Sequence, residues 1–301
     1  MKNINLIAGP WRDYELLDSG DNNKLERYGS YIVSRPETQA IWHPLHPERW
    51  AKADANFKWV DGKGGWRVTE ASSVKRNPDQ AVRREAFPAD WRISWQDNYF
   101  ALRLTSFKHT GIFPEQAPNW EWSAGLMDKL KNPQILNLFG YTGAATVVAA
   151  KYGAQVTHVD ASKQSNEWAK ENARLSGVDS KNIRYILDDA LRFSEREVRR
   201  ETKYDGIILD PPAFGRGAKG EVWRIEEDLP RLLGALKKLL VPKPGSFFLL
   251  NGYAAGYSPL SLAQLVQDIF PGVGGEYGEL RIPESGSKRF IPEGIYARFV
   301  L

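Results

Sequence analysis

Ile135-Leu136-Asn137-Leu138-Phe139-Gly140-Tyr141-Thr142-Gly143 joins a short apolar run to a tight, glycine-bearing turn. The run has the length and composition of a buried strand. Ala144 to Tyr152 behind it has the small, helix-forming residues of a following helix. Gln155 to Val159 predicts a second strand, ending on Asp160, seventeen residues after Gly143. That spacing suits a β-turn-α-β unit whose second strand tip offers an acid to a ribose diol. Ile183 to Leu187 predicts a third strand, ending at Asp188-Asp189-Ala190. Tyr204 to Leu209 predicts a fourth, ending at Asp210-Pro211-Pro212-Ala213-Phe214. Strand tips carrying Gly, Asp, Asp and Asp-Pro-Pro describe a crevice for a nucleoside-bearing ligand along the carboxyl edge of a parallel sheet.

Downstream, Phe193 to Lys203 reads as a charged helix with a salt-bridged solvent face, and Gly215 to Gly220 as a glycine-rich, basic loop. Helices over Glu226–Leu240 and Pro259–Phe270 alternate with strands over Gly245–Leu250, Glu279–Ile282 and Ile295–Val300. Upstream, Tyr14–Leu17, Ser30–Val33, Ala40–Trp42, Lys58–Val60 and Trp66–Val68 are short strand-like pieces divided by turn residues. Ala71 to Glu85 reads as an exposed loop with basic pairs at Lys75-Arg76 and Arg83-Arg84. Trp91 to Phe107 predicts a hairpin around Gln96-Asp97-Asn98, and Asn119 to Leu130 a helix with Asn119 as N-cap. The Trp residues of this β-rich region serve as core area for a small sheet, or as stacking platforms for unpaired bases.

The 301 residues suit two domains and a sizeable core. A net charge of +4, with both signs interspersed, gives no strong electrostatic footprint for nucleic acid. No apolar run approaches twenty residues and no signal-type h-region opens the chain, so a soluble, cytoplasmic protein is expected. Cysteine is absent, which removes disulfides and thiolate zinc sites, and no metal site is expected.

The motif order resembles the class I S-adenosylmethionine-dependent methyltransferases. It is most similar to the group with a first motif Asn/Asp-Leu-Phe-x-Tyr-Thr-Gly and a fourth motif Asp-Pro-Pro-x-Phe, which includes large-subunit ribosomal RNA base methyltransferases. The resemblance covers roughly residues 105 to 301. It implies a Rossmann-like, seven-stranded, mostly parallel sheet with an antiparallel edge over residues 119–301, behind a small β-rich N-terminal domain over 1–118. Thr110, Gly111, Phe113 and Gln116 match a Thr-Gly-x-Phe-x-x-Gln segment that borders the cofactor pocket in the family, with Glu115 as its usual acid. The Arg that normally follows is Ala117 here. His109 beside this segment reads as structural.

The implied cofactor is S-adenosyl-L-methionine. Its expected contacts are Thr110, Phe113, Gln116, Asn137, Phe139, Gly140, Tyr141, Thr142, Gly143, Asp160, Ala161, Ser162, Asp189, Ala190 and Asp210. Asp160 would hold the ribose hydroxyls and Asp189 the adenine amine, with Asp188 competing for that contact and Ala190 beside the ring. Phe139 and Tyr141 occupy the first two glycine positions of the broader consensus, so no pyrophosphate-gripping cluster exists and a dinucleotide is disfavoured. Asp210, Pro211, Pro212 and Phe214 are the expected catalytic set. The two prolines lack N–H groups and fix φ, so their carbonyls are expected to be unclaimed and turned to an acceptor. Arg216 and Lys219 are the expected substrate grip.

The implied activity is methyl transfer to a base nitrogen in RNA, ribosomal RNA foremost. Pyrimidine C5 requires covalent addition by a cysteine thiolate, and the chain has none, so that route is excluded. A small metabolite or a protein side chain remains an alternative acceptor, as does a non-catalytic adenosylmethionine-binding role. Monomer and homodimer are both open.

Overall fold

A computed structural model describes residues 1–60, 63–69, 87–216, 220–253 and 256–301. They form two compact units, each assembled from separated stretches of chain. One comprises Met1–Ile7, Glu115–Arg281 and Glu293–Leu301; the other comprises Ala8–Pro114 and Ile282–Pro292. The contiguous segments expected above are 1–118 and 119–301; here Met1–Ile7 groups with the larger unit and Ile282–Pro292 with the smaller.

Strands β1 (Lys2–Asn3) and β2 (Leu6–Ile7) belong to the larger unit. In the smaller unit, β3 (Tyr14–Gly20), β4 (Asn23–Tyr28) and β5 (Tyr31–Pro36) form an antiparallel meander. Asp21 and Asn22 both adopt left-handed φ (50° and 60°), the conformation a two-residue hairpin turn demands. A single helical turn, α1 (Pro47–Trp50), precedes β6 (Ala55–Val60) and β7 (Lys63–Val68), completing a sheet of order β3-β4-β5-β6-β7. Ala40–Trp42, expected as a strand, is irregular. The Ala71–Glu85 loop lies outside the described residues. The expected hairpin is present as β8 (Arg92–Trp95) and β9 (Asn98–Ala101). Trp11, Tyr14, Tyr28, Trp91 and Trp95 are buried in a chain of ring contacts, so these three Trp supply core area.

In the larger unit the first helix, α2, spans Ala117–Met127. It starts two residues before the expected Asn119 cap because Pro118 sits in its first turn, where a missing N–H costs nothing. Asn119 is instead buried inside the helix and donates to Asn251 Oδ1 at 2.9 Å. There follow β10 (Gln134–Leu138), α3 (Ala144–Lys151), β11 (Gln155–Asp160), α4 (Lys163–Leu175), β12 (Ile183–Leu187), α5 (Ala190–Arg199) and β13 (Gly206–Leu209). After them come β14 (Phe214–Arg216), β15 (Val222–Arg224), α6 (Ile225–Leu239), β16 (Phe247–Gly252), α7 (Pro259–Ile269), β17 (Glu276–Pro283) and β18 (Phe290–Val300).

The sheet order is β1-β17-β18-β16-β13-β10-β11-β12, with β2 also on β17. From β12 to β16 all pairs are parallel, and β18 runs antiparallel to β16. This is the expected seven-stranded sheet, extended by β1 and β2 to nine strands among the described residues. The central strands are apolar on both faces, as helices on each side require. The chain moves from β10 outward to β11 and β12, then returns to β13 on the other flank of β10. The carboxyl ends of these strands are therefore a topological switch point, where α/β sheets bind ligands.

Candidate active site

The turn after β10 keeps a glycine-like backbone without the glycines. Phe139 and Tyr141 sit at φ of 54° and 48°, and Gly143 at 81°. Left-handed φ costs a non-glycine residue about 1–2 kcal/mol, so surrounding contacts must hold it. The Phe139 ring packs against Trp223, with centroids 4.9 Å apart. Tyr141 N–H donates to Asp160 Oδ2 at 2.8 Å, and Gly140 N–H to Val159 O at 3.1 Å. Gly140 is required for packing: a Cβ there would fall 2.3 Å from the His158 ring, which is fully buried.

A polar brace lies beneath this turn. Asn137 Nδ2 donates to Thr146 Oγ1 at 2.8 Å, and Thr146 Oγ1 lies 2.8 Å from His158 Nδ1. Because Thr146 already accepts from Asn137, its hydroxyl hydrogen points to Nδ1, leaving the His158 proton on Nε2. Burial pushes His158 down to about 3, so the ring is neutral. Asn137, expected among the cofactor contacts, thus spends its buried amide inside the protein. Nothing in the motif announced His158 as its support.

Asp160 ends β11, partly exposed. Its two oxygens accept from Tyr141 N–H and Ser162 N–H, both at 2.8 Å. Burial raises its pKa, against the pull of those two donors. Ser162 caps α4 through Ser165 N–H, with Ala161 in the turn between. At the tip of β12, Asp188 accepts from Asp189 N–H and pairs with Arg196, so both its oxygens are engaged. Asp189 caps α5 through Oδ1, accepting from Arg192 N–H at 2.9 Å. Its other oxygen has no hydrogen bond among the described residues. The charged helix starts at Ala190, which is buried beside that tip, rather than at Phe193.

Asp210 ends β13 with no hydrogen bond or ion pair among the described residues, and burial alone pushes its carboxyl up to about 7. The carbonyls behind it are not all free, contrary to expectation. Trp223 Nε1 donates to Pro212 O at 2.7 Å and Ile225 N–H donates to Ala213 O at 3.1 Å; only Pro211 O stays unclaimed among the described residues. β14 and β15 pair as a short hairpin that the sequence reading missed, and this brings Trp223 under the prolines. Phe214 is left 57% exposed. The Arg216 side chain and Lys219 lie outside the described residues.

Gln116 belongs to the same unit, nearly buried, with Oε1 accepting from Asn119 Nδ2 at 3.2 Å. Thr110 and Phe113 belong to the smaller unit. There Thr110 is buried, and Phe113 packs on His109 at 5.2 Å. Burial, with Arg35, Lys108 and Lys24 nearby, holds His109 at about 3, which fits a structural role. Among the described residues no cluster of His, Asp and Glu could hold a metal ion, and no helix is long and apolar enough to cross a membrane.

Strand order and turn chemistry define a Rossmann-like domain built for a nucleoside-bearing cofactor. The comparisons identify it further. The profile of the S-adenosylmethionine-dependent methyltransferases matches residues 58–263. A solved SAM-dependent methyltransferase from Agrobacterium tumefaciens is 41% identical, covers 99% of this chain and 93% of its own, and superposes with a TM-score of 0.88. The chain belongs to the S-adenosylmethionine-dependent methyltransferase family, and its cofactor is S-adenosylmethionine.

The Ribosomal RNA large subunit methyltransferase K/L of Shewanella frigidimarina is 36% identical over 154 residues, half of this chain and 21% of that protein. The chain thus spans about a fifth of the length of the curated relatives it matches. A Streptococcus mutans structure, 16% identical with a TM-score of 0.71 over 96% of this chain and 75% of its own, shares the fold.

The residues present fit the cofactor. A partly exposed carboxylate at the β11 tip suits a diol, and the spare Asp189 oxygen suits an exocyclic amine. The uncommitted Asp210 carboxyl suits the neighbourhood of a sulfonium charge.

Proposed function

We propose that this chain methylates a nitrogen of an RNA base, with ribosomal RNA the first substrate to test, in the cytoplasm. The observation that carries the reading is Asp210: a carboxyl without a partner among the described residues, two residues before the exposed Pro212 and four before the exposed ring of Phe214. A flat acceptor with an N–H beside its ring satisfies both groups at once, the carboxylate accepting the N–H and Phe214 stacking on the face. The name of the Shewanella relative supports RNA over a metabolite or protein side chain.

When bound, the cofactor supplies a methyl group on a sulfonium, open to in-line displacement by a lone pair. Asp160 holds the ribose hydroxyls, itself fixed by Tyr141 N–H and Ser162 N–H. Asp189 accepts from the adenine amine, with Ala190 beside the ring. Gly140, Thr142, Gly143, Phe139 and Tyr141 form the wall, and Asn137 supports it from behind. Within the larger unit Gln116 completes the pocket, and Arg216 and Lys219 grip the RNA backbone. Asp210 and the Pro211 carbonyl orient the acceptor nitrogen. As the N–C bond forms and the C–S bond breaks, Asp210 accepts the N–H proton the nitrogen must shed, a transfer its pKa near 7 suits.

Calorimetric titration with adenosylhomocysteine, followed by labelled methyl transfer to total RNA from a strain lacking this protein, tests the reading. Binding together with base-labelled RNA is expected. Binding with label only in metabolites or protein would overturn the substrate assignment.

A further inference from the structure

All eleven Trp residues lie within the described residues, and only Trp59 is exposed, at 57%. Its place is built. Trp59 and Phe57 are two apart on β6 and share a face; Trp66, opposite Phe57 on β7, lies on the same face. Phe57 is buried between them, edge-on to Trp59 at 5.3 Å and to Trp66 at 5.4 Å. Gly64, opposite Trp59, has no side chain because a Cβ there would fall 2.3 Å from Phe57 and 3.0 Å from Trp59. Trp66 Nε1 donates to Phe107 O at 3.3 Å. Thr105 holds that turn by donating to the same carbonyl at 2.8 Å, and the Phe107 ring stands 67% exposed. Trp59, Phe57 and Trp66 thus form a continuous aromatic run, and the main chain that carries the exposed Phe107 ring is tied to its Trp66 end.

β7 is the last strand of its sheet among the described residues, and the exposed Lys58 and Arg67 line the opposite face of the same hairpin. Residues 52–110 carry eleven Lys and Arg against seven Asp and Glu, an excess equal to the whole chain's net +4. Exposed rings on a cationic hairpin match a strand with unstacked bases and phosphates.

We infer that the β6–β7 hairpin binds single-stranded RNA, with Trp59 and Phe107 stacking on unpaired bases. The inference rests on the RNA reading above. Fluorescence anisotropy of the full chain with a labelled single-stranded oligoribonucleotide, and with a duplex of the same sequence, tests it. Trp59→Ala and Phe107→Ala should each weaken single-strand binding about fivefold or more. Trp59→Phe should keep most of the affinity, and adenosylhomocysteine affinity should not move. Unchanged RNA affinity in both alanine variants overturns this surface and leaves the exposed rings to a protein partner. A wild-type chain that binds no oligoribonucleotide overturns the RNA reading itself.

Discussion

Asp160 and Asp210 end the two strands flanking β10, yet their surroundings assign them different work. Asp160 is held by two backbone donors, so its loss removes both a ribose acceptor and the tether on Tyr141. Asp160→Ala should weaken adenosylhomocysteine binding tenfold or more by calorimetry, and Asp160→Asn less, since one amide oxygen still accepts. Asp210 has no such tether among the described residues, so Asp210→Asn should spare cofactor affinity and lose methyl transfer. The pH dependence follows from its carboxyl near 7. In the wild type, transfer should rise through pH 6–7 as the carboxylate appears and level off above it; the Asn variant should lack that limb. The same shift has a stability sign. A carboxyl raised above its ordinary 3.8 binds its proton more tightly folded than unfolded, so ionisation costs stability between pH 4 and 7. Asp210→Asn should therefore raise the melting temperature at pH 8 and not at pH 4. A variant equally stabilised at both would show that the effect is steric.

The turn after β10 was legible as a ligand turn, and its strand and helix partners follow from apolar periodicity and spacing. Its support was not legible, because it depends on contacts between distant elements. Phe139 and Tyr141 stand where the broader consensus has glycine, and only the structure shows that the backbone kept the left-handed conformation while the side chains changed. The Trp223 indole claims a Pro212 carbonyl that the sequence suggested was free, since no local rule places β15 beneath the prolines. Residues of the first seven positions and of 282–292 likewise join units that chain order would not assign them. Packing under the turn makes its own prediction. Gly140→Ala drives a methyl into the buried His158 ring, and overpacking of this kind costs about 1–3 kcal/mol. Calorimetry should show a melting temperature lower by several degrees. Adding His158→Ala should recover part of that loss, because the two changes share one space. Additive losses would place the strain elsewhere.

Across the whole molecule, the two units carry opposite balances of buried charge. In the smaller unit Glu26 is fully buried. Arg35 Nε reaches Glu26 Oε2 at 2.5 Å, the Tyr14 and Tyr28 hydroxyls donate to Oε1 at 2.8 and 3.0 Å, and Lys24 lies 3.8 Å away. Burial alone would raise this carboxyl, but Arg35 and Lys24 more than offset it and bring it to about 2. A depressed carboxyl stabilises the fold above its unfolded value of 4.5, and that contribution drains away as pH falls toward 2. In the larger unit, the raised Asp160 and Asp210 work the other way, since protonation relieves them, and they oppose the lowered Glu197. Each unit also holds one neutral histidine near 3, His109 and His158, so that source of acid lability is matched. Below pH 4.5 the smaller unit should therefore give way first. Seven of the eleven Trp lie in it, whereas every described helix of eight residues or more lies in the larger unit. In an acid titration, Trp fluorescence should thus shift at a higher pH than ellipticity at 222 nm. Glu26→Gln, which leaves Arg35 buried without its carboxylate, should cost about 3–5 kcal/mol at pH 7 and abolish the gap between the two midpoints. Coincident midpoints in the wild type would mean that the units unfold as one, whatever their charges.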